Sequence, residues 1–259
     1  MTALVAGISG LYGLVIGSFL NVLIWRVPRE ESIVRPPSHC PKCETKLAVR
    51  DNIPVVSWVL LHGHCRYCDT AISARYPLIE LLTGALFAAV GARFFDSWAL
   101  PAYLVLTAAL IALSFIDLEH YILPNRILYP TDAAIVALLA GASALEHDWG
   151  AFGRAAIAGV AAFAVFFAIH FVSPRGMGFG DVRLSFLLGF SLGWLGWGEV
   201  FGGLFAGFLY GAVVGVLLIA LNLRSRKQRI PFGPFLAAGA MTFVLFGAPL
   251  VDWYQHLGR

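Results

Sequence analysis

Residues 99–117 read ALPAYLVLTAALIALSFID, a run of 18 uncharged and mainly apolar residues that ends on an aspartate. A membrane-spanning helix needs about 20 mainly apolar residues, so this run predicts one span with a carboxylate at its end. Similar apolar blocks recur on both sides of it. Only 13% of the 259 residues are charged and 59% are hydrophobic, whereas a soluble domain has about 25% charged residues. This composition excludes a soluble globular protein.

The apolar blocks predict an all-α polytopic membrane protein with about eight transmembrane helices. The blocks cover residues 3–25, 77–95, 99–117, 127–146, 153–172, 184–197, 199–222 and 233–251. The sixth is short and rich in glycine. The first has no Lys or Arg before it and no small-residue cleavage site after it. We therefore expect a retained helix there, not a removed signal peptide.

The distribution of Lys and Arg predicts the orientation of these helices. If residue 1 lies outside, the cytoplasmic loops hold 15 of the 18 basic residues, as expected because short basic loops stay on the cytoplasmic side. Arg93, Arg154 and Arg259 are the exceptions. The net charge of +3 therefore reflects topology, and we expect a lipid bilayer and no nucleic acid as partner.

One polar segment between the first two spans is long enough to fold separately. We predict three parts: a first transmembrane helix (1–25), a cytoplasmic four-cysteine loop (26–75) and a transmembrane body (76–259). The loop contains Cys40-Pro-Lys-Cys43 and Cys65-Arg-Tyr-Cys68, separated by 21 residues. Two such pairs complete a closed tetrahedral Zn²⁺ site, which is structural and not catalytic.

The alternative for the four cysteines is a pair of disulfides. The predicted topology places the loop in the reducing cytosol, where thiols stay reduced, and this favours zinc. The neighbouring His39, His62 and His64 are expected to be surface residues and not ligands.

Two aspartates mark the membrane edge. Asp117 ends the third span, and Asp181 begins the sixth. Two complete spans separate them, so both fall on the cytoplasmic face. Ionisable residues at membrane depth are functional candidates by default, although either aspartate could instead cap a helix or reach interfacial water. A pair sharing one proton would provide a base and an acid, which suits attack of water on a peptide carbonyl.

The helix ends suggest how the proton is distributed. A helix N-terminus favours a charged carboxylate, so Asp181 is expected to be the ionised base and Asp117 the acid. Gly178 and Gly180 form a loop whose backbone can approach a substrate closely. The G-x-G spacing is not a nucleotide fingerprint, because it lacks the flanking βαβ unit.

Other positions have structural interpretations. Glu80 lies in the first turns of the second span and is the strongest candidate for a role beyond structure; Glu119, Asp132 and His170 lie near the interface. Glycines recur every four residues in the seventh span, at Gly203, Gly207, Gly211 and Gly215. Such a face lets a neighbouring helix approach closely, and docking of a substrate helix is the alternative.

Two other functions compete with peptide hydrolysis. A transporter or proton-coupled channel could use the aspartates as a relay, but it predicts polar residues along the spans, and the third and sixth have few. An assembly factor that binds partners through the four-cysteine loop gives no reason for paired carboxylates.

The sequence resembles the type IV prepilin peptidases over nearly its whole length. The matching stretches are GSFLNVLIWRVP (17–28), DNIPVVSW (51–58) between the cysteine pairs, RYPLIELLTG (75–84), IDLEHYILP (116–124), GFGDVRL (178–184) and PFGPFLA (231–237). The resemblance implies a multi-pass protease of the bacterial inner membrane, with a periplasmic N-terminus and Asp117 and Asp181 as catalytic residues.

The same resemblance implies the substrates and a second activity. The substrates would be type IV prepilins or type II secretion pseudopilins, which lose a short basic leader. Members with the cysteine loop also methylate the new N-terminus with S-adenosylmethionine. The chain departs from the family pattern at Asn125, where Asp is common, and at Arg183, where Lys is common.

Overall fold

The computed structural model describes residues 1–174, 176–223 and 230–256. Arg175, residues 224–229 and Arg259, which the orientation argument counts, lie outside these ranges. Within them the chain is helical, with two isolated bridges and no strand. Two compact units are distinguished, unit 1 (Met1–Asp96) and unit 2 (Ser97–Arg259).

Unit 1 pairs two long helices on either side of the four-cysteine segment. Helix α1 spans Thr2–Arg26, the short α2 spans Val56–Leu60 and α3 spans Arg75–Arg93. The backbones of α1 and α3 approach so closely that a Cβ atom at Gly13 would lie 2.7 Å from the Cβ of Phe87. Small residues permit this kind of contact between membrane helices.

Buried polar side chains attach the inserted segment to this helix pair. The Glu80 carboxylate, on α3, accepts a hydrogen bond of 2.7 Å from the Val55 N–H, and Glu80 is only 7% exposed. Val55 has a φ of +62°, an uncommon conformation for a β-branched residue. The Glu80 bond therefore holds a strained turn at the start of α2.

Unit 2 is a bundle of six helices. They are α4 (Leu100–His120), α5 (Asn125–Leu145), α6 (Trp149–Val172), α7 (Phe179–Leu195), α8 (Trp197–Ala220) and α9 (Gly233–His256). Helix α4 supplies much of the core, with Leu106, Leu110 and Ile116 at most 2% exposed. Tyr103 on α4 donates a hydrogen bond of 2.8 Å to the Ser191 carbonyl on α7, which satisfies its hydroxyl inside the bundle.

The glycine face of α8 packs against α9. A Cβ atom at Gly207 would lie 2.9 Å from the Leu236 Cα, and one at Gly239 would lie 2.3 Å from the Gly207 nitrogen. Gly203 and Gly211 also contact α9 or the residues just before it. Helix packing therefore accounts for most of this face, and the alternative of substrate docking is not needed.

The structure confirms an all-helical, multi-pass membrane fold but not the count of eight spans. All eight apolar blocks are helical, yet only six of the helices in the described residues are long and apolar enough to cross a membrane. Helix α7 has 17 residues, about 26 Å at 1.5 Å per residue, short of the roughly 30 Å hydrocarbon layer. Helix α3 carries Arg75, Glu80 and Arg93 within 19 residues.

The α1–α3 contact predicts different effects of adding a side chain at two glycines of α1. Gly13→Leu should overpack the contact, at a cost of about 1–3 kcal/mol, and lower the thermal unfolding temperature of the purified protein. Gly7 has open space where a Cβ would stand, so Gly7→Leu should leave the unfolding temperature unchanged. Equal stability of the two variants would contradict the close contact.

Candidate active site and metal centre

Asp117 lies in the last turn of α4 and is buried, with 6% of its surface exposed. Its Oδ2 accepts a hydrogen bond of 3.0 Å from the N–H of Gly233, the first residue of α9. A Cβ atom at position 233 would lie 2.8 Å from that oxygen. Glycine at 233 therefore lets the start of α9 approach the carboxylate.

Asp181 lies in the first turn of α7 and is similarly buried, with 8% exposed. Its Oδ2 accepts a hydrogen bond of 3.2 Å from the Gly178 N–H. Met177, the residue before this glycine, is also held in place, because Nδ1–H of His170 donates a hydrogen bond of 2.8 Å to the Met177 carbonyl. His170 therefore stabilises the loop whose Gly178 N–H binds Asp181.

Leu123 lies close to both Gly180 and Gly233, which are neighbours of the two aspartates. A Cβ atom at Gly180 would lie 3.1 Å from the Leu123 Cβ, and one at Gly233 would lie 3.3 Å from the Leu123 Cδ2. The two carboxylates are also close enough to interact electrostatically. The two aspartates expected from the sequence therefore converge, although two helices separate them along the chain.

The two departures from the family pattern contact each other beside this pair. A guanidinium N–H of Arg183, on the first turns of α7, donates to the Asn125 Oδ1 at the start of α5. The Arg183 guanidinium also lies 4.6 Å from the centre of the Phe179 ring. Asn125 is neutral where the family commonly has a carboxylate. It therefore does not neutralise the positive charge of Arg183 at the edge of the site.

The four cysteines form a separate cluster in unit 1. Their sulfur atoms all lie within 4.8 Å of one another, and Cys40 Sγ is 3.8 Å from Cys68 Sγ. Zn–S bonds of about 2.3 Å in a tetrahedron place the sulfurs roughly 3.8 Å apart. None of the four forms a disulfide, and the cluster could hold a metal ion such as zinc.

The two cysteine turns have the same backbone structure. The N–H of Cys40 donates to the Thr45 carbonyl at 3.0 Å, and the N–H of Cys65 donates to the Thr70 carbonyl at 2.8 Å. The positive-φ residue follows the second cysteine in both turns, at Glu44 and Asp69. The sequence carries this repeat as HCPKCET (39–45) and HCRYCDT (64–70).

The four thiols compete for negative charge. Hydrogen bonds with Thr45 lower the pKa of Cys43 to about 6. A backbone bond with Thr70 favours the thiolate of Cys68, but burial and the neighbouring thiols raise the pKa of Cys68 to about 12. A bound dication would favour the thiolate form of the cysteines, since metal binding requires thiolates. The three nearby histidines are exposed and lie outside the cluster.

Several contacts of the site are not evident from the sequence pattern. Gly233 and Leu123 lie in stretches that resemble the family, but their contacts depend on how the helices meet. Of the near-interface residues, Asp132 has one carboxylate oxygen with no partner among the described residues. The hydrogen bond of Glu80 with Val55 lies within unit 1.

Two family models match the chain. The bacterial peptidase A24 N-terminal domain matches residues 11–94, and the type IV leader peptidase family matches residues 104–220. The second match includes both aspartates, and the first includes all four cysteines.

Curated relatives match over most of the chain. A prepilin leader peptidase/N-methyltransferase of Aeromonas hydrophila is 36% identical over 94% of this chain and 91% of its own length. A protein of the same name from Dichelobacter nodosus is 37% identical over 95% of this chain and 93% of its own length. Another from Myxococcus xanthus is 42% identical over 82% of this chain and 63% of its own length. No solved structure matches. Two family models and relatives of this similarity lead to one conclusion: the chain belongs to the type IV leader peptidase family.

Proposed function

We propose that this chain is an aspartic endopeptidase that removes the basic leader from type IV prepilins or related pseudopilins, and that it also methylates the new N-terminus. The relatives' printed name supports both activities. The observation that carries the peptidase assignment is the convergence of Asp117 and Asp181, two buried carboxylates inside the segment that matches the peptidase family.

The proposed hydrolysis uses the two carboxylates as a unit. One takes a proton from a water molecule as its oxygen attacks the scissile carbonyl, and the other donates a proton to the carbonyl oxygen. The carboxyl group that received the water proton then protonates the amide nitrogen, the other carboxylate takes a proton from a hydroxyl of the tetrahedral intermediate, and the C–N bond breaks. The backbone N–H groups of Gly178 and Gly233 hold the carboxylates in place during these transfers.

The hydrogen bonds of the two aspartates give no reason to distinguish the acid from the base. Asp181 accepts its bond at the start of α7, but Asp117 accepts one at the start of α9. Both carboxylates therefore face the N-terminus of a helix, which favours negative charge. We assign the shared proton to the pair and to neither residue.

The proposed substrate arrives as a membrane helix. Its basic leader remains in the cytosol, so the scissile bond reaches the cytoplasmic edge of the membrane, where the predicted topology places both aspartates. Gly178 and Gly180 would let the backbone of this loop lie beside the substrate. The proposed location is the bacterial inner membrane, with the N-terminus in the periplasm.

We further propose that the four cysteines bind one structural Zn²⁺ and that S-adenosylmethionine is the methyl donor. Four thiolate ligands leave no open coordination position, so the metal would stabilise the segment and not take part in hydrolysis. Cys40, Cys43, Cys65 and Cys68 are the proposed ligands. The three-part division of the chain at residues 25 and 75 remains a prediction.

Neutralising either aspartate should abolish most cleavage. Asp117→Asn and Asp181→Asn keep the shape but remove a proton-transfer group, so cleavage of a prepilin-like substrate, scored by mass, should fall by about 100- to 10,000-fold. The control is Asp148→Asn, because Asp148 caps α6 through the Ala151 N–H and asparagine caps equally well. Near-normal cleavage by either test variant, in intact inserted protein, would refute the assignment.

Metal content provides a second test. The purified protein should contain about one Zn²⁺ per chain, and replacing Cys40 and Cys43 together by Ser should release it. The control replaces His39 and His64 by Ala, because both histidines lie beside the cluster without belonging to it. Metal analysis that finds no zinc in the wild-type protein would contradict the proposal.

The two activities should respond differently to loss of the metal. The thiolate cluster lies in unit 1, and the aspartates lie in unit 2. Methyl transfer depends on holding donor and amine in line. We therefore expect Cys65→Ser with Cys68→Ser to depress methylation more than cleavage, measured as methyl gain and leader loss on one substrate. Equal loss of both in inserted, intact protein would mean that the metal segment supports the peptidase site itself.

A further inference from the structure

A cavity of about 330 Å³ lies in unit 1 between α1 and the inserted segment. An adjoining cavity of about 240 Å³ shares Pro37, Ser38 and Asn52 in its wall. Volumes of this size are typical of small-molecule sites. The walls come from α1 and from residues 33–38 and 52–54, so the two stretches that resemble the family at 17–28 and 51–58 meet here.

Arg26 indicates which charge a ligand of this cavity would carry. Arg26 lines the cavity and is only 8% exposed. Its Nη1 donates to the Ser32 carbonyl at 2.9 Å and its Nη2 to the Pro36 carbonyl at 2.8 Å, which leaves three of the five guanidinium N–H donors. In the described part of the chain no carboxylate pairs with it. A buried cation needs a counter-charge, so a ligand with an anionic group fits this wall.

A second wall of the cavity is suited to positive charge. Ser18 lines the cavity and its hydroxyl is close enough to the buried carboxylate of Glu80 to interact with it electrostatically. A negative group thus lies just behind this wall. The same carboxylate holds the strained Val55 turn, next to the lining residue Pro54, and backbone strain of this kind occurs at functional sites.

The remaining lining suits a flat heterocycle. Phe19 and Val22 contribute apolar surface, and the Asn52 amide and the Ser38 hydroxyl contribute donors and acceptors. A ligand of this chemistry carries a carboxylate, a cationic centre and an aromatic base. S-adenosylmethionine combines all three as an amino acid carboxylate, a sulfonium and an adenine.

We propose that this cavity binds the methyl donor, with Arg26 holding the carboxylate of S-adenosylmethionine. This inference rests on the proposed methylation activity. The type IV leader peptidase model covers residues 104–220, which contain both aspartates, whereas the cavity lies within the separately matched residues 11–94; the proposal places the second activity in the relatives' name there. In the transfer, the lone pair of the neutral amine attacks the methyl carbon of the sulfonium. The C–N bond forms, the C–S bond breaks with its electron pair going to sulfur, and the amine releases a proton to solvent.

Equilibrium binding of labelled S-adenosylmethionine to the full-length purified protein tests the proposal. Arg26→Gln removes the charge and should weaken binding at least about tenfold. Ser38→Leu fills the cavity, and the Ser38 side chain takes part in no described hydrogen bond, so this variant should also lose affinity. The matched control is Arg29→Gln, because Arg29 is exposed and lies over the Trp25 ring instead of the cavity; its affinity should equal that of the wild type.

Measurements of folding, donor affinity, reaction products and bound lipid decide the outcome. Zinc content and the unfolding temperature establish that each variant is folded. Wild-type affinity in both test variants would overturn the cavity assignment while leaving the methylation proposal in place. Leader cleavage without any binding or methylation by the wild-type protein would remove methylation as well. An anionic phospholipid found by native mass spectrometry on the wild type but not on Arg26→Gln, with unchanged donor binding, would assign the cavity to a lipid headgroup.

Discussion

A carboxylate buried in a helical membrane bundle needs a hydrogen-bond donor. In unit 2 the donors to Asp117 and Asp181 determine where the starts of α9 and α7 must lie. Inside a helix the backbone N–H groups are already used, so the backbone N–H groups that remain free are those at a helix start. Asp117 therefore requires the start of α9, and Asp181 requires the turn that begins α7. Glycine at 233 is the consequence, because a side chain there would meet the carboxylate. The two carboxylates therefore lie at the ends of helices whose middles carry no charged residue.

In unit 1, a buried carboxylate and a buried guanidinium likewise form hydrogen bonds with backbone groups. Glu80 accepts a hydrogen bond from a backbone N–H of the inserted segment, and Arg26 donates hydrogen bonds to two carbonyls of that segment. These bonds connect the end of α1 and the start of α3 to a segment with little regular structure. The cysteine turns have their own internal bonds and do not need the helices for their shape. A metal at the cysteines and the charged residues at the helix ends would thus stabilise different parts of one small unit.

The sequence predicts the helical membrane class, the positions of all eight helical blocks and the pairing of the aspartates, because each depends on local composition or on the parity of membrane crossings. It predicts the four-cysteine cluster because two short turns define it. The count of eight spans is not confirmed at two helices: α3 carries three charged residues, and α7 is only 17 residues long. The Gly233 bond and the Leu123 contact are not predictable, since they depend on helix rotations that apolar periodicity does not specify.

The Arg183–Asn125 contact shows why departures from a family pattern are best considered together. Taken singly, Asn125 loses a carboxylate and Arg183 exchanges one cation for another. In the structure the two side chains are partners. The planar guanidinium suits an amide oxygen while stacking near Phe179, which a lysine ammonium does less well. The exchange keeps the connection between the starts of α5 and α7 but leaves the cation unneutralised. Under the proposed mechanism, a further carboxylate near Asp117 and Asp181 would add repulsion to a pair that shares one proton. An amide at 125 preserves the contact and avoids that repulsion.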